Sequence, residues 1–335
     1  MAKSSIIVGI DLHKRSFDFV MMSSTGEIIK QGSRSTEASS VLEFASGLTL
    51  RHQAVLEPLE NSYWFIEQLQ PYAASVHLAN SGKVRLIAES RLKNDRIDAR
   101  ILADLFRVGY LPEVYIPKRE IHQWRCLIQH RIRLVCDRTR VKNRIIGLLN
   151  REGYRVAASD PFGKKGRAQI DSFELSSMLR QMVDRNLVSH DLLSSHISDL
   201  EAEIKQIVAA DPIASNLCTI DGVAEFTALA IRAIVGRMDR FRSVKAFAAY
   251  TGLIPGSRQS ADRVQHRPIT KQGSTTLRWL LLQAAKHVVK KSGYFKRMHS
   301  RIVRRSSEKN ARVVVAHALA RIIYHVWMEA RPYYR

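Results

Sequence analysis

Cysteine is scarce: the 335-residue chain holds three, Cys126, Cys136 and Cys218. The number is odd and no two stand in a Cys-x-x-Cys pair, which argues against a disulfide framework and against a zinc site. Long apolar runs are missing as well. The opening stretch "SIIVGI" runs into Asp11, too short for a signal or membrane segment, and no later stretch stays apolar for the ~20 residues that a span needs. A cytoplasmic protein with no membrane partner is therefore expected. Acids thin out toward the C-terminus: residues 212–335 hold 6 Asp+Glu against 23 Lys+Arg.

What is present complements these gaps. A hydrophobic content of 45% is ample for packed cores, and 335 residues make room for two or three domains. The formal net charge is +22 and the pI about 10.3. Residues 1–110 are nearly balanced, with 13 basic and 12 acidic residues, whereas 118–167 carry 14 and 4. Basic blocks inside folded segments suit a polyanion, and nucleic acid is the commonest one in a cytoplasm.

Periodicity predicts the organisation. "SIIVGID", "SFDFVMM" and "GEIIKQ" read as three strands joined by short turns, then "TEASSVLEFASGL" as a helix, "QAVLE" as a strand, "NSYWFIEQL" as a helix and "ASVHLA" as a strand. A three-strand meander followed by alternating helix and strand is the order of an RNase H-like α/β fold. A long helix is predicted from Ile121 to Asn150, its apolar residues interleaved with arginines, among them Arg138, Arg140 and Arg144, with Lys142 beside them. "PFGKKGRAQ" reads as a linker. Leu193, Ile197, Leu200, Ile204 and Ile207 then keep a 4-3-4-3 spacing, which predicts a short coiled coil and a contact between copies of the chain.

In "RLKNDRIDARILADLF" the helical spacing of Ile97, Ile101, Leu102 and Leu105 puts Asp95 and Asp98 in a first turn, about 60° apart around the axis. They are either a cap and a dipole partner or a pair of metal ligands. Asp11 ends one apolar strand and Glu57 another, and in an RNase H-like sheet these places share one end with the start of that helix. Four carboxylates within ~4–6 Å would repel by up to ~4 kcal/mol per pair at an effective dielectric near 20, so they call for a cation. Oxygen donors select a hard ion such as Mg²⁺, which can activate a phosphodiester. His13 and Lys14 read as surface residues; Asp18 on the next strand and Asp104, about 180° from Asp95, fall outside the expected metal site.

"GIDLHKRSFDF", "LEPLENSYW" and "KNDRIDARILADL" resemble the DEDD segments of the insertion-sequence transposases and recombinases that include the bridge-RNA-guided recombinases and Piv-type DNA invertases. "TIDGVAEFTALAIRAIVGRMDRFRSVKAFAAYTGLIPGSRQSADR" and "ITKQGSTTLRWLL" are similar to the transposase domain of the same family, and the likeness runs from about Ile6 to Trp327. It implies an RNase H-like (RuvC-like) DEDD domain with the long basic helix over 1–155, a linker and coiled coil over 156–211, and a mainly helical serine transposase domain with a helix-hairpin-helix-like element over 212–335. It carries the four acids onto Asp11, Glu57, Asp95 and Asp98, with Mg²⁺, and a nucleophilic serine onto Ser260. It implies a covalent phosphoserine link to DNA, donor and target duplexes, a structured non-coding bridge RNA, and dimers and tetramers. Arg258, Arg263, Arg267, Lys271 and Arg278 around the serine suit phosphate clamping or a solvated face.

Two departures bear on these assignments. Glu60 stands at the fourth position of "EPLENSY", so the second acid is Glu57 or Glu60, with the strand end favouring Glu57. Asp221 replaces the usual proline before Gly222, which weakens a phosphate-binding reading of that turn. Two other activities fit parts of the pattern. A metal-dependent nuclease or Holliday-junction resolvase would use water in place of Ser260, and a binding protein without chemistry would leave the acids unexplained.

Overall fold

Alternation along Ile6–Leu12 sends Ile7, Gly9 and Asp11 to one face of a sheet and Val8, Ile10 and Leu12 to the other, and the first half of the structure is built on that division. The structure, a computed structural model, describes residues 5–87, 95–260 and 263–334, without the side chains of 85–87, 95–97, 257–260 and 263–268. The chain divides into two compact units, Met1–Ile116 and Pro117–Arg335.

The first unit runs β1 (Ile6–Leu12), β2 (Ser16–Ser23), β3 (Ile28–Ser35), α1 (Ala38–Ser46), β4 (His52–Leu56), α2 (Ser62–Leu69), β5 (Ser75–Ala79), α3 (Ser81–Ile87), α4 (Asp95–Arg107) and β6 (Glu113–Val114). Its sheet has the order β3-β2-β1-β4-β5-β6, antiparallel through β3-β2-β1 and parallel through β1-β4-β5. The expected meander and the alternation after it are both present. One face packs Val8, Ile10, Leu12, Phe17 and Phe19 against α1 and α2, where Phe17 meets Phe44 and Phe65 edge-on at 5.0 Å between ring centroids. Each such ring contributes on the order of 2 kcal/mol by leaving water.

The other face packs Ile7, Val20, Met22 and Val55 against Ala99, Leu102 and Ala103 of α4. The stripe predicted for this helix is rotated from the one it uses, since Ala99 and Ala103 are buried while Ile101 and Leu105 are half-buried. Small residues win there because they meet a glycine. A Cβ placed on Gly9 would collide with the Ala99 carbonyl oxygen and lie 3.0 Å from the Ala103 Cβ, so helix and strand backbones run in direct contact.

The second unit is mostly helical: α5 (Arg119–Arg151), α6 (Lys164–Ser172), α7 (Ser177–Ala210), α8 (Pro212–Cys218), α9 (Glu225–Val235), α10 (Val244–Thr251), the ribbon β7 (Pro255–Ser260) and β8 (Arg263–Ile269), α11 (Thr275–Lys291), α12 (Gly293–Arg305) and α13 (Glu308–Met328). α5 lies along α7. One stretch of the pair is filled by Val141, Ile145, Leu149, Leu179, Val183 and Leu187, and another by Ile121, Trp124, Ile128, Ile204 and Val208. This corrects the coiled-coil expectation. Ile197 and Ile204 of the 4-3-4-3 stripe are already buried within the chain, so the stripe is a seam of this helical hairpin and not an exposed surface for a second copy.

Candidate active site

Strand polarity and helix direction bring the first unit's acids to one end. β1 and β4 are parallel, with Ile10 level with Leu56, so the next residues, Asp11 and Glu57, stand side by side at the carboxyl ends of their strands. By strand alternation both fall on the α4 side, which Gly9 and Val55 also face.

The direction of α4 follows from its two ends. Arg107 in its last turn lies against Gly26 of the β2–β3 turn, where a Cβ would come within 3.3 Å of the guanidinium carbon. That turn borders Ser23, the partner of Ile6, and so marks the start of β1. The helix therefore runs back along β1, and its first turn lies at the Asp11 end. Asp98 immediately precedes Ala99, whose carbonyl covers Gly9, and Asp11 lies two residues beyond Gly9, about 7 Å along the strand. Asp95 opens α4 at the same end, with its side chain outside the described residues. Among the described residues no three His, Cys, Asp or Glu side chains converge as a metal-binding group. The acids that strand polarity and helix direction bring to this end carry carboxylates, the chemistry that suits a hard divalent ion.

The neighbours of Asp11 carry information that linear spacing does not. His13, a surface residue by its place in the sequence, has its Nε2 3.2 Å from Asp11 Oδ2, an ion pair when the imidazole is protonated. Asn61 Nδ2 and Thr36 Oγ1 donate to the His13 carbonyl at 3.4 and 3.3 Å, pinning the loop that follows the acid. Asp18 is the register partner of Asp11 and only 9% exposed; its neighbours Phe17 and Phe19 face away from α4, so the two carboxylates share a face. Cross-strand pairs of like charge oppose folding unless a cation or a proton stands between them. Asp104, by contrast, is bound by Arg107 at 3.1 Å. Of the two candidate glutamates, Glu57 is half-buried at the strand end and Glu60 is exposed in the following turn.

In the second unit Ser260 is the last residue of β7 and pairs with Arg263 of β8, while Arg258 is level with Gln265 and Arg267 with Gly256. The side chains of Ser260, Arg258, Arg263 and Arg267 lie outside the described residues. Lys271 is exposed with φ 55°, and its N–H donates to the Gly252 carbonyl at 3.2 Å. Arg278 Nη1 donates to the Thr251 carbonyl at 3.4 Å, so it braces the approach to the ribbon. On α5, Arg138 reaches Ser194 Oγ at 3.4 Å and Arg144 reaches Asn186 Oδ1 at 3.2 Å across the hairpin. Lys142 Nζ sits 5.0 Å from the Phe162 ring centre, and Arg140 pairs with Asp137 at 2.6 Å while remaining 75% exposed. These α5 cations therefore have contacts inside the chain besides any offered to a polyanion.

The turn between α8 and α9 is closed rather than open. Gly222 has φ +82°, and a Cβ there would lie 2.7 Å from the Ala284 carbonyl and 2.9 Å from the Val288 nitrogen of α11. Beside it Cys218, His287 and Lys291 line a cavity of about 350 Å³. Burial, with Glu225 adding to it, pushes the Cys218 thiol up to about 11. Cys218 should therefore stay a thiol at pH 8, and brief iodoacetamide treatment read by peptide mass spectrometry should modify the exposed Cys126 and Cys136 before it. Modification of Cys218 at an equal rate would contradict the burial.

A mixed sheet with acids at the carboxyl ends of its central strands is followed by a mostly helical second unit. Residues 8–152 match the DEDD transposase family model of the IS110 kind, described as "Transposase", and residues 214–300 match the one described as "Transposase IS116/IS110/IS902 family". The chain is 25% identical to the transposase for insertion sequence element IS1111A of Coxiella burnetii over 98% of its own length and 91% of that protein. It is 25% identical to the transposase for insertion sequence element IS1328 of Yersinia enterocolitica over 86% and 85%, and 28% identical to a probable family 20 transposase of Pseudomonas aeruginosa over 71% and 73%. The chain belongs to the IS110 family of insertion-sequence transposases, enzymes that cut and rejoin DNA. No helix among the described residues is long and apolar enough to cross a membrane.

Proposed function

We propose that this transposase moves its insertion sequence by a covalent route in which Asp11, Glu57, Asp95 and Asp98 hold Mg²⁺ and Ser260 is the nucleophile. The observation that carries the reading is the polarity of α4, which starts at the sheet end where Asp11 and Glu57 stand. A Mg²⁺ held by these carboxylates would polarise a phosphodiester oxygen. The serine Oγ forms a bond to phosphorus as the bond from phosphorus to the leaving strand breaks, and the serine proton passes to the departing oxygen. The phosphoserine ester keeps the energy of the broken link, so the reverse attack by a strand end rejoins DNA without another energy source. Ser260 at the end of a two-stranded ribbon, opposite Arg263, suits this role because a ribbon fits into a DNA groove and a guanidinium favours the phosphate it would meet. Selection of donor and target duplexes by a structured bridge RNA, assembly as dimers and tetramers, and a cytoplasmic setting complete the reading.

A covalent adduct separates this from a nuclease or junction resolvase that uses water. Wild-type protein on a nicked substrate should yield a protein-DNA species that survives denaturing electrophoresis. Ser260→Ala should lose the adduct and strand exchange while binding DNA within ~1 kcal/mol of wild type, because one hydroxyl contributes little beside many phosphate contacts. Continued cleavage by Ser260→Ala would favour the water-using nuclease. An adduct mapping to Ser257 or Ser274 would keep the mechanism and move the residue.

A further inference from the structure

Between residues 286 and 312 the chain carries ten Lys+Arg and one acid, Glu308. That acid is already engaged, by His299 Nε2 at 3.2 Å and by Arg312 at 3.5 Å. The excess is organised by α12. At 100° per residue, Lys296, Arg297, Arg301, Arg304 and Arg305 fall within one half of its circumference, and all five are exposed. Phe295 and Met298 turn the other half onto the core of the second unit, with Ile302 half-buried on the same side. None of the five makes an ion pair with a carboxylate among the described residues. Tyr294, 57% exposed, stands within the same arc.

The arrangement does not serve the helix itself. Cations in the last turn, Arg304 and Arg305, are favoured by the helix dipole, but Lys296 and Arg297 close to its start are opposed by it. The first turn has no acid and Ser292 makes no side-chain cap, so the usual means of steadying a helix start are absent while repulsion is present. A face that costs stability and has no internal partner matches a polyanion from outside. From Lys296 to Arg304 is eight residues, ~12 Å along the axis, close to the ~12 Å width of the major groove of duplex DNA. Cations at the two ends of α12 can thus meet the two phosphate strands that flank one groove.

We infer that the basic face of α12 is a docking surface for the backbone of duplex DNA, separate from the ribbon that carries Ser260 and from the acids of the first unit. The inference rests on the family's action on DNA and not on the serine, the metal or the guide RNA, so it survives if the covalent mechanism fails.

The test is Arg297→Gln/Arg301→Gln/Arg304→Gln in the full chain, titrated by fluorescence anisotropy against a 30-base-pair duplex of arbitrary sequence between about 50 and 200 mM salt. The slope of log affinity against log salt should fall by ~2 to 3, near 0.9 for each phosphate that the variant no longer neutralises. The charge-conserving Arg297→Lys/Arg301→Lys/Arg304→Lys should keep the wild-type slope. Lys30→Gln/Arg51→Gln/Lys83→Gln, which removes the same net charge from exposed sites of the first unit, should leave it unchanged. Far-UV circular dichroism checks that α12 remains folded. Equal slopes for the two glutamine triples would overturn the surface, because net charge alone would then account for binding. A weakening seen with single-stranded RNA of the same length but not with duplex DNA would overturn the assignment to DNA.

Discussion

Asp11→Asn is expected to lower DNA strand cleavage by more than ~10²-fold and to leave the melting temperature at or above that of the wild type. Even side chains that only support metal ligands cost 10- to 100-fold when removed, so a direct ligand should cost more. Stability should not fall with activity, because an amide of the same shape ends the opposition of like charges with the buried Asp18 across the β1–β2 ladder, which offsets the loss of the charge that meets His13. A residue kept for folding would show the opposite pattern. Glu57→Gln should resemble Asp11→Asn, whereas Glu60→Gln, in an exposed turn, should act near the wild-type rate. A supercoiled-plasmid cleavage assay beside thermal denaturation reads both quantities. If Glu60→Gln is the inactive variant, the second ligand is Glu60 and Glu57 merely closes its strand. Full activity of Asp98→Ala would leave the opening of α4 as a helix start and nothing more.

Much of this site is legible from single residues in order along the chain. Asp11 and Glu57 are each the first polar residue after an apolar strand, and the two aspartates of α4 stand before a helical pattern, so linear spacing reports them. Asp18 and His13 escape such a reading because their relation to Asp11 is not linear. Asp18 meets Asp11 through antiparallel register, which a turn of His13 to Arg15 sets, and His13 turns back onto the acid it follows. The paired helices show a different failure. A 4-3-4-3 stripe says that a helix is covered along one side, but the same stripe suits a second copy of the chain or another helix of the same chain. The choice depends on α5, whose own apolar residues are legible but whose partner is not. The α4 stripe misleads for a third reason. Leu and Ile outweigh Ala by hydrophobicity, yet the helix turns its alanines inward because Gly9 offers a contact that only small residues can make.

That contact makes Gly9→Ala the most informative change away from the acids. The added methyl meets a backbone carbonyl, that of Ala99, and the Ala103 side chain at 3.0 Å, neither of which can rotate aside. Either β1 or α4 must move. Overpacking of this kind typically costs ~1 to 3 kcal/mol, and for a unit of this size a loss of that order lowers the melting temperature by roughly 4–8 °C per kcal/mol. Movement of α4 also carries Asp98 away from Asp11, so Gly9→Ala should lose strand cleavage even at temperatures where the protein is fully folded. Gly9→Val should be worse on both counts, while Gly32→Ala, whose methyl would approach only the Phe19 ring at 3.2 Å, should be milder. The decisive comparison is cleavage measured well below each variant's melting temperature. If Gly9→Ala melts early yet cleaves like the wild type when folded, the packing of α4 on β1 supports the sheet alone, and the acids at its first turn are positioned by something other than this contact.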